Sequence, residues 1–419
     1  MQLFKNPAFT RLFLANFTSQ LGTVVGTMAF AFYLLDRFST RPFYATLAEL
    51  MYALPALAVF LFTGVFADRL DRKKIAAYSD WIRAACTLLL IAAVSLDWIA
   101  TAFVLLFLRS AVAKFFGPAQ MGLLQGVLGT GQYVEAAGLN QMVGGLFMLF
   151  GMGLGSAAYH FLGIQGALLI DAASFVVSGL LIALCRFSPE VRQPNGPIRL
   201  RQLRLRAISA DFGQGWVIIR RNALLLAIIL GYFLFGAIDG VFAVLPLFTM
   251  KYKLSPDHYE LYASLITVFL GIGFLIGSAL ASLLIKSTSK HAVLIGGLLL
   301  SGVLSIVLGL IGDMWLYLSI VLIVGVVIAP VNVVLGGWVP ELVDPGSMGR
   351  VNAWMEPLLM LGQSLALGLI AVAYPAYLTI GLLYTLLGLC ILAACLYYWL
   401  VLPSLVRRTA AAACAAVEG

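Results

Sequence analysis

A chain of 419 residues that is 62% hydrophobic and 11% charged, with a mean hydropathy of +1.02, is not a soluble globular protein, whose apolar share is nearer half and charged share about a quarter. The net charge of +8 does not point to nucleic acid, because the basic residues gather in the loops of one side and read as topology signals of a polytopic membrane protein. Cys86, Cys185, Cys390, Cys395 and Cys414 are odd in number and scattered, so no disulfide framework or metal spacing follows; neither a metal nor a cofactor is expected.

Apolar segments long enough to cross a bilayer, about 20 residues each, fall near residues 9–35, 44–67, 75–96, 98–117, 134–159, 164–186, 223–250, 259–285, 291–312, 314–339, 351–373 and 376–402. They predict an all-α integral membrane fold of twelve transmembrane helices. Met1 to Thr10 is short and mixed, and the first segment runs far beyond the apolar region of a signal peptide. The first helix is therefore expected to stay in the mature chain.

Between the second and third segments, Asp68 to Lys74 packs six charges into seven residues, a tight basic turn facing water. The third segment carries only Asp80 and Arg83. The fourth contains Arg109, and an uncompensated charge at that depth costs a few kcal/mol. Arg109 is thus expected to face the protein interior or water. The fifth ends Gly151-Met152-Gly153-Leu154-Gly155, small residues four apart that let helices pack closely.

The polar stretch Ser188 to Gly215, with Pro189, Pro194, Pro197 and four arginines from Arg199 to Arg206, divides the chain into six helices plus six. It reads either as an amphipathic segment along the inner leaflet or as a solvated linker. The expected organisation is an N-terminal half over 1–187, a basic linker over 188–221, a C-terminal half over 222–403 and a tail over 404–419, its low-complexity part running from Thr409 to Gly419. Gly277 to Lys290 stands where Gly64 to Lys74 stands in the first half, keeping the Gly but not the Asp-Arg pair.

With the amino terminus inside, the basic residues Lys5, Arg11, 69–74, Lys114, the linker, Lys286, Lys290, Arg350, Arg407 and Arg408 fall on one side. Both termini are then expected to be cytoplasmic. The acids at membrane depth are Glu49, Asp171, Asp239 and Glu356, each a functional candidate by its cost alone. A carboxyl that is neutral in one state and charged in the other can carry a proton cycle; Asp171 and Asp239, with no base nearby in sequence, are the first choices. Asn16, Gln20, Gln141, Asn332 and Gln363 are expected to line a cavity for the substrate.

The motif Gly64-x-x-x-Asp68-Arg69-x-x-Arg72-Lys73 resembles the signature turn between the second and third helices of major facilitator superfamily transporters. Its Asp-Arg-x-Asp-Arg form, with Asp71 where the family more often has Gly, resembles the macrolide-efflux-like branch (drug:proton antiporter type 3). Phe116-Gly117-Pro118-Ala119, Glu135-Ala136-Ala137-Gly138-Leu139, Ile170-Asp171-Ala172-Ala173-Ser174-Phe175, Pro340-Glu341 and Gly349-Arg350-Val351 extend the likeness over most of the chain. Arg109 matches the arginine of the family's fourth-helix motif, although Val112 and Ala113 depart from the rest, and Met152 replaces the proline of the antiporter motif.

The resemblance implies a secondary active exporter of hydrophobic or amphipathic compounds, not an enzyme. It would work by alternating access, coupled to protons, as a monomer in contact with lipids of a bacterial inner membrane. A lysophospholipid flippase or siderophore exporter of the same fold is the alternative, and a membrane sensor a further one. Gly64, Asp68, Arg69, Arg72, Arg109 and Arg350 would be the conformational residues, with Asp68 seated against the start of the eleventh helix near Gly349 and Arg350. No Gly-x-x-x-x-Gly-Lys-Ser/Thr loop for ATP is present.

Overall fold

The computed structural model describes residues 3–128, 132–193, 205–343 and 348–418, and among them there is no strand. The first four spans are α1 (Pro7–Arg37), α2 (Phe43–Arg69), α3 (Arg72–Ser95) and α4 (Ile99–Val127). A helical run Tyr133–Ala183 follows, 51 residues long and broken at Gly163 with φ 64°. Unbroken it would measure about 76 Å, more than twice a hydrocarbon core of about 30 Å. Gly163 supplies the left-handed turn that a side chain disfavours, so the run is two spans, α5 (133–162) and α6 (164–183).

Neighbours on α1 show their directions. Gly151 and Gly155 of α5 lie against Val24 and Met28, in rising order, whereas Ser174 and Asp171 of α6 lie against Gly22 and Gly26, in falling order. The two helices therefore run antiparallel.

The remaining spans are α7 (Ala223–Thr249), extended by a π-turn over Met250–Leu254, then α8 (Tyr259–Ser287), α9 (Lys290–Leu310), α10 (Met314–Leu342), α11 (Met348–Ala373) and α12 (Ile380–Glu418). Polar caps set the starts. Asn6 accepts the N–H groups of Ala8 and Phe9 at 3.0 and 3.3 Å, with Pro7 as the first helical residue; Asn222 and Asp313 do the same for α7 and α10. Each cap satisfies donors that a helix start leaves open.

The connection between α2 and α3 is the tight turn expected, since only Leu70 and Asp71 separate them: Asp71 caps α3 directly, accepting from the N–H groups of Lys73 and Lys74 at 3.1 and 3.2 Å. Two other expectations are corrected. Within the expected linker 188–221, Leu205–Arg221 is a helix. Its Phe212 stacks on Trp354 of α11 at 3.9 Å, and Trp216 lies 4.9 Å from the same ring. The expected tail from residue 404 continues α12 to Glu418, because alanine has the highest helix propensity of any residue.

The chain forms two compact units, Met1–Ile208 and Ser209–Gly419. In the first, α1 packs on α5 and α6, α2 on α4, and α3 on α4 and α6. In the second, α7 packs on α11 and α12, α8 on α10, and α9 on α10 and α12. The pattern repeats with an offset of six helices although the sequences of the halves barely match. Close approach is needed at Gly236 of α7, where a Cβ would stand 1.9 Å from the Leu359 carbonyl oxygen.

Candidate functional site

In the first unit, four helices bring two acids and two bases into one buried cluster. On α3, Asp80, Arg83 and Thr87 follow the i, i+3, i+7 spacing that places residues on a single face. On α6, Asp171, Phe175 and Ser178 are spaced i, i+4, i+7. The carboxyl of Asp80 accepts from Arg83 Nη1 at 2.9 Å, from Ser19 Oγ of α1 at 3.2 Å, and from the Ser178 hydroxyl. Arg83 also donates to Ser19 Oγ and Thr23 Oγ1 at 3.1 and 2.7 Å.

Arg109 of α4 donates to Asp171 Oδ2 and, at 3.2 Å, to Thr87 Oγ1. The Phe175 ring lies under both guanidiniums, 3.8 Å from that of Arg83 and 5.6 Å from that of Arg109. Asp80 and Asp171 are 0% exposed, Arg109 3% and Arg83 5%. Removing each ion from water costs several kcal/mol, and only pairing with good hydrogen bonds offsets it. The cluster is therefore neutral as a set, two charges of each sign. Asp171 Oδ1 has no hydrogen-bond partner among the described residues.

The same unit shows what the basic turn does. Lys73 Nζ donates to the carbonyls of Ala183 and Cys185 at 2.7 and 2.8 Å, and Arg11 donates to Leu184 O at 2.9 Å, so these cations cover open carbonyls at the end of α6. Arg72 donates to Gly122 O of α4 at 3.3 Å. Arg192 pairs with Asp71. Burial pushes the Asp71 carboxyl up, but the hydrogen bonds from Arg192, Lys74 and Lys73 outweigh it and hold it below its ordinary range.

The second unit holds a cavity of about 440 Å³ walled by Tyr232, Phe235 and Phe242 of α7, Ser301 of α9 and Asn332 of α10, with Asp239 on its surface. No salt bridge or hydrogen bond reaches Asp239 among the described residues. The Asn332 amide donates to Ile328 O at 3.2 Å. The Ser301 hydroxyl is buried and without a hydrogen-bond partner among the described residues.

Of the residues singled out in the sequence, the structure joins Arg109 to Asp171, and brings Asp239 and Asn332 to one cavity. Asn16 and Gln20 belong to an amide chain, Gln20 donating to Asn16 at 3.0 Å and Asn16 to Asn140 at 3.3 Å. Glu49 is half-buried on α2, Gln363 half-buried on α11, and Glu356 exposed on α11; the cavity lining includes none of the three. Gly64 and the side chains of Asp68, Arg69, Gln141 and Arg350 lie outside the described residues. Asp80 and Arg83 were not among the candidates, and their signal was present: an acid and a base three apart in an apolar segment. No cluster of three or more metal-ligating side chains occurs among the described residues.

A family model described as Major Facilitator Superfamily matches residues 12–367. The chain is 46% identical over 404 residues to the uncharacterized MFS-type transporter YkuC of Bacillus subtilis, covering 96% of this chain and 94% of that one. It is 23% identical over 369 residues to macrolide efflux protein A of Streptococcus pyogenes, 86% and 87% of the two chains. Among solved structures, a bacterial homologue of the iron transporter ferroportin in an inward-facing state superposes with a TM-score of 0.73 at 14% identity, over 95% of this chain and 98% of that one. The nucleoside transporter NupG gives 0.69 at 14% identity over the same shares. At that identity the likeness is one of fold.

Proposed function

The chain belongs to the Major Facilitator Superfamily and is an integral membrane transporter rather than an enzyme, and on that premise we propose that it is a secondary active exporter of hydrophobic or amphipathic compounds, driven by protons. The observation that carries the cargo class is the cavity of the second unit, walled mainly by aromatic and aliphatic side chains. Small-molecule sites of about 300–1,000 Å³ are built this way, with few polar groups to orient the ligand. The relation to macrolide efflux protein A over 86% of the chain supports the outward direction. The bias of Lys and Arg between loops supports a bacterial inner-membrane protein with both termini in the cytoplasm.

Proton coupling rests on the buried cluster. Its two carboxylates balance its two guanidiniums, so a proton added at Asp171 leaves a net positive charge in the interior and frees Arg109 from its partner. Such a state is tolerable only with water at the site, which ties protonation to opening of one face, as alternating access requires. Asp68 is the proposed inner latch of that cycle.

The test is accumulation in everted membrane vesicles with an imposed proton gradient, using a macrolide, an aromatic cationic dye and a lysolipid. Uptake of at least one, abolished by a protonophore, is expected. Uptake of none above vesicles lacking the protein would overturn the reading.

A further inference from the structure

Two kinds of acid at membrane depth occur among the described residues. Asp80 and Asp171 each meet a guanidinium and hydroxyl donors. Asp239 has neither among the described residues, although it lies 16 residues into α7, about 24 Å along the helix axis. A carboxylate at membrane depth costs a few kcal/mol even on the lenient insertion scale. Asp239 is exposed at the cavity, and among the described residues no cation or hydrogen-bond donor offsets that cost.

The groups around Asp239 select the missing partner. Tyr232 and Phe235 sit edge to face with centroids 6.2 Å apart, and Phe235 stacks on Tyr398 at 6.1 Å, so their planes are held before any ligand arrives. Aromatic faces attract cations and repel anions. Ser301 of α9, 1% exposed and also lining the cavity, has a hydroxyl with no partner among the described residues, and an oxygen left so gains from a ligand that hydrogen-bonds to it. A neutral cargo leaves the carboxylate uncompensated, and an anionic one opposes it.

We propose that this cavity binds a compound with a single positive charge on an aromatic or otherwise apolar body, Asp239 being its counter-ion and Ser301 a hydrogen-bonding side chain beside it. The inference deepens the exporter reading above and rests on it for the direction of transport only. Asp239 is then a cargo-recognition residue, and the proton-carrying acid is the paired Asp171.

The experiment is equilibrium binding to the purified full-length protein at pH 7, with tetraphenylphosphonium, whose charge is permanent, and neutral triphenylphosphine oxide. Wild type is expected to prefer the cation by about tenfold or more, the factor that a contact of about 1.4 kcal/mol gives. Asp239→Asn is expected to lose that preference while binding the neutral compound as before, which also reports that it is folded; Asp239→Glu should keep it. No binding of the cation to wild type, equal binding of both probes, or an undiminished cation preference in Asp239→Asn overturns the proposal. A cation preference set by Asp239 together with failed vesicle uptake overturns the exporter reading alone; uptake together with a preference that ignores Asp239 overturns this inference alone.

Discussion

Arg109 and Asp171 close an ion pair between α4 and α6, and Thr87 of α3 hydrogen-bonds to both of them, at 3.2 and 3.5 Å. Three helices thus meet at one carboxylate oxygen, while the other oxygen of Asp171 has no partner among the described residues. An ion pair alone would explain burial. The open oxygen supplies a place for a proton.

Asp171→Asn leaves Arg109 buried without its counter-charge, a loss of about 3–5 kcal/mol for a buried pair broken on one side. The double variant Asp171→Asn with Arg109→Gln removes both charges and should recover more than half of that loss. Thermal unfolding in detergent measures the stabilities, and proton-driven vesicle uptake should be lost in both. Additive destabilisation would show that the two side chains do not act as a pair.

Glycine positions rank by what a methyl group would meet. At Gly236 it would strike the Leu359 carbonyl at 1.9 Å, at Gly26 the Asp171 side chain at 2.7 Å, and at exposed Gly117 nothing within 4 Å. Overpacking costs about 1–3 kcal/mol, whereas alanine in an open helix position gains about 0.5–1 kcal/mol. Thermal midpoints should therefore fall most for Gly236→Ala, less for Gly26→Ala, and hold or rise for Gly117→Ala.

Asp71 links stability to pH. Its folded carboxyl sits below the ordinary range because Arg192, Lys74 and Lys73 outweigh burial. A depressed acid contributes stability that is present above the unfolded value, about 3.9, and lost as pH falls through the folded one. The gap in thermal midpoint between wild type and Asp71→Ala should be constant above pH 5 and shrink below about pH 4. At neutral pH the lost cap should cost about 1 kcal/mol. Asp71→Asn should keep the cap and show less pH dependence; a gap independent of pH in Asp71→Ala would exclude the ion pair with Arg192.

Trp354 anchors the helix Leu205–Arg221 through Phe212 and Trp216, and its indole N–H donates to Phe212 O at 3.0 Å. Trp354→Ala removes the ring that both residues touch, a truncation worth about 3–5 kcal/mol for a fully buried ring and less here, where Trp354 is half-buried. Trypsin should then cut faster at Arg220 and Arg221, both exposed at the end of that helix. Unchanged cleavage would mean that other contacts hold it.

The twelve spans were legible in the order of residues, because bilayer thickness and the cost of a buried charge act along the chain. Arg109 was legible as a residue facing inward for the same reason. Its partner was not: Asp171 is 62 residues away, and Asp171 and Asp239 read alike along the chain. Asp80 and Arg83 read as an ordinary pair on a helix until Ser19, Thr23 and Ser178 closed around them.

Composition and spacing by themselves determined that the chain crosses a membrane twelve times, where the helices start, and that its few interior charges must face inward, since water, hydrocarbon and backbone hydrogen bonding constrain every residue locally. Tertiary structure alone decided that Asp171 meets a guanidinium while Asp239 meets an aromatic-walled cavity. It also decided that Lys73 covers the end of α6 and that Gly163 reverses the chain. These outcomes depend on which helix faces rotate toward one another, and close packing through Gly22, Gly26, Gly236 and Gly240 selects that rotation.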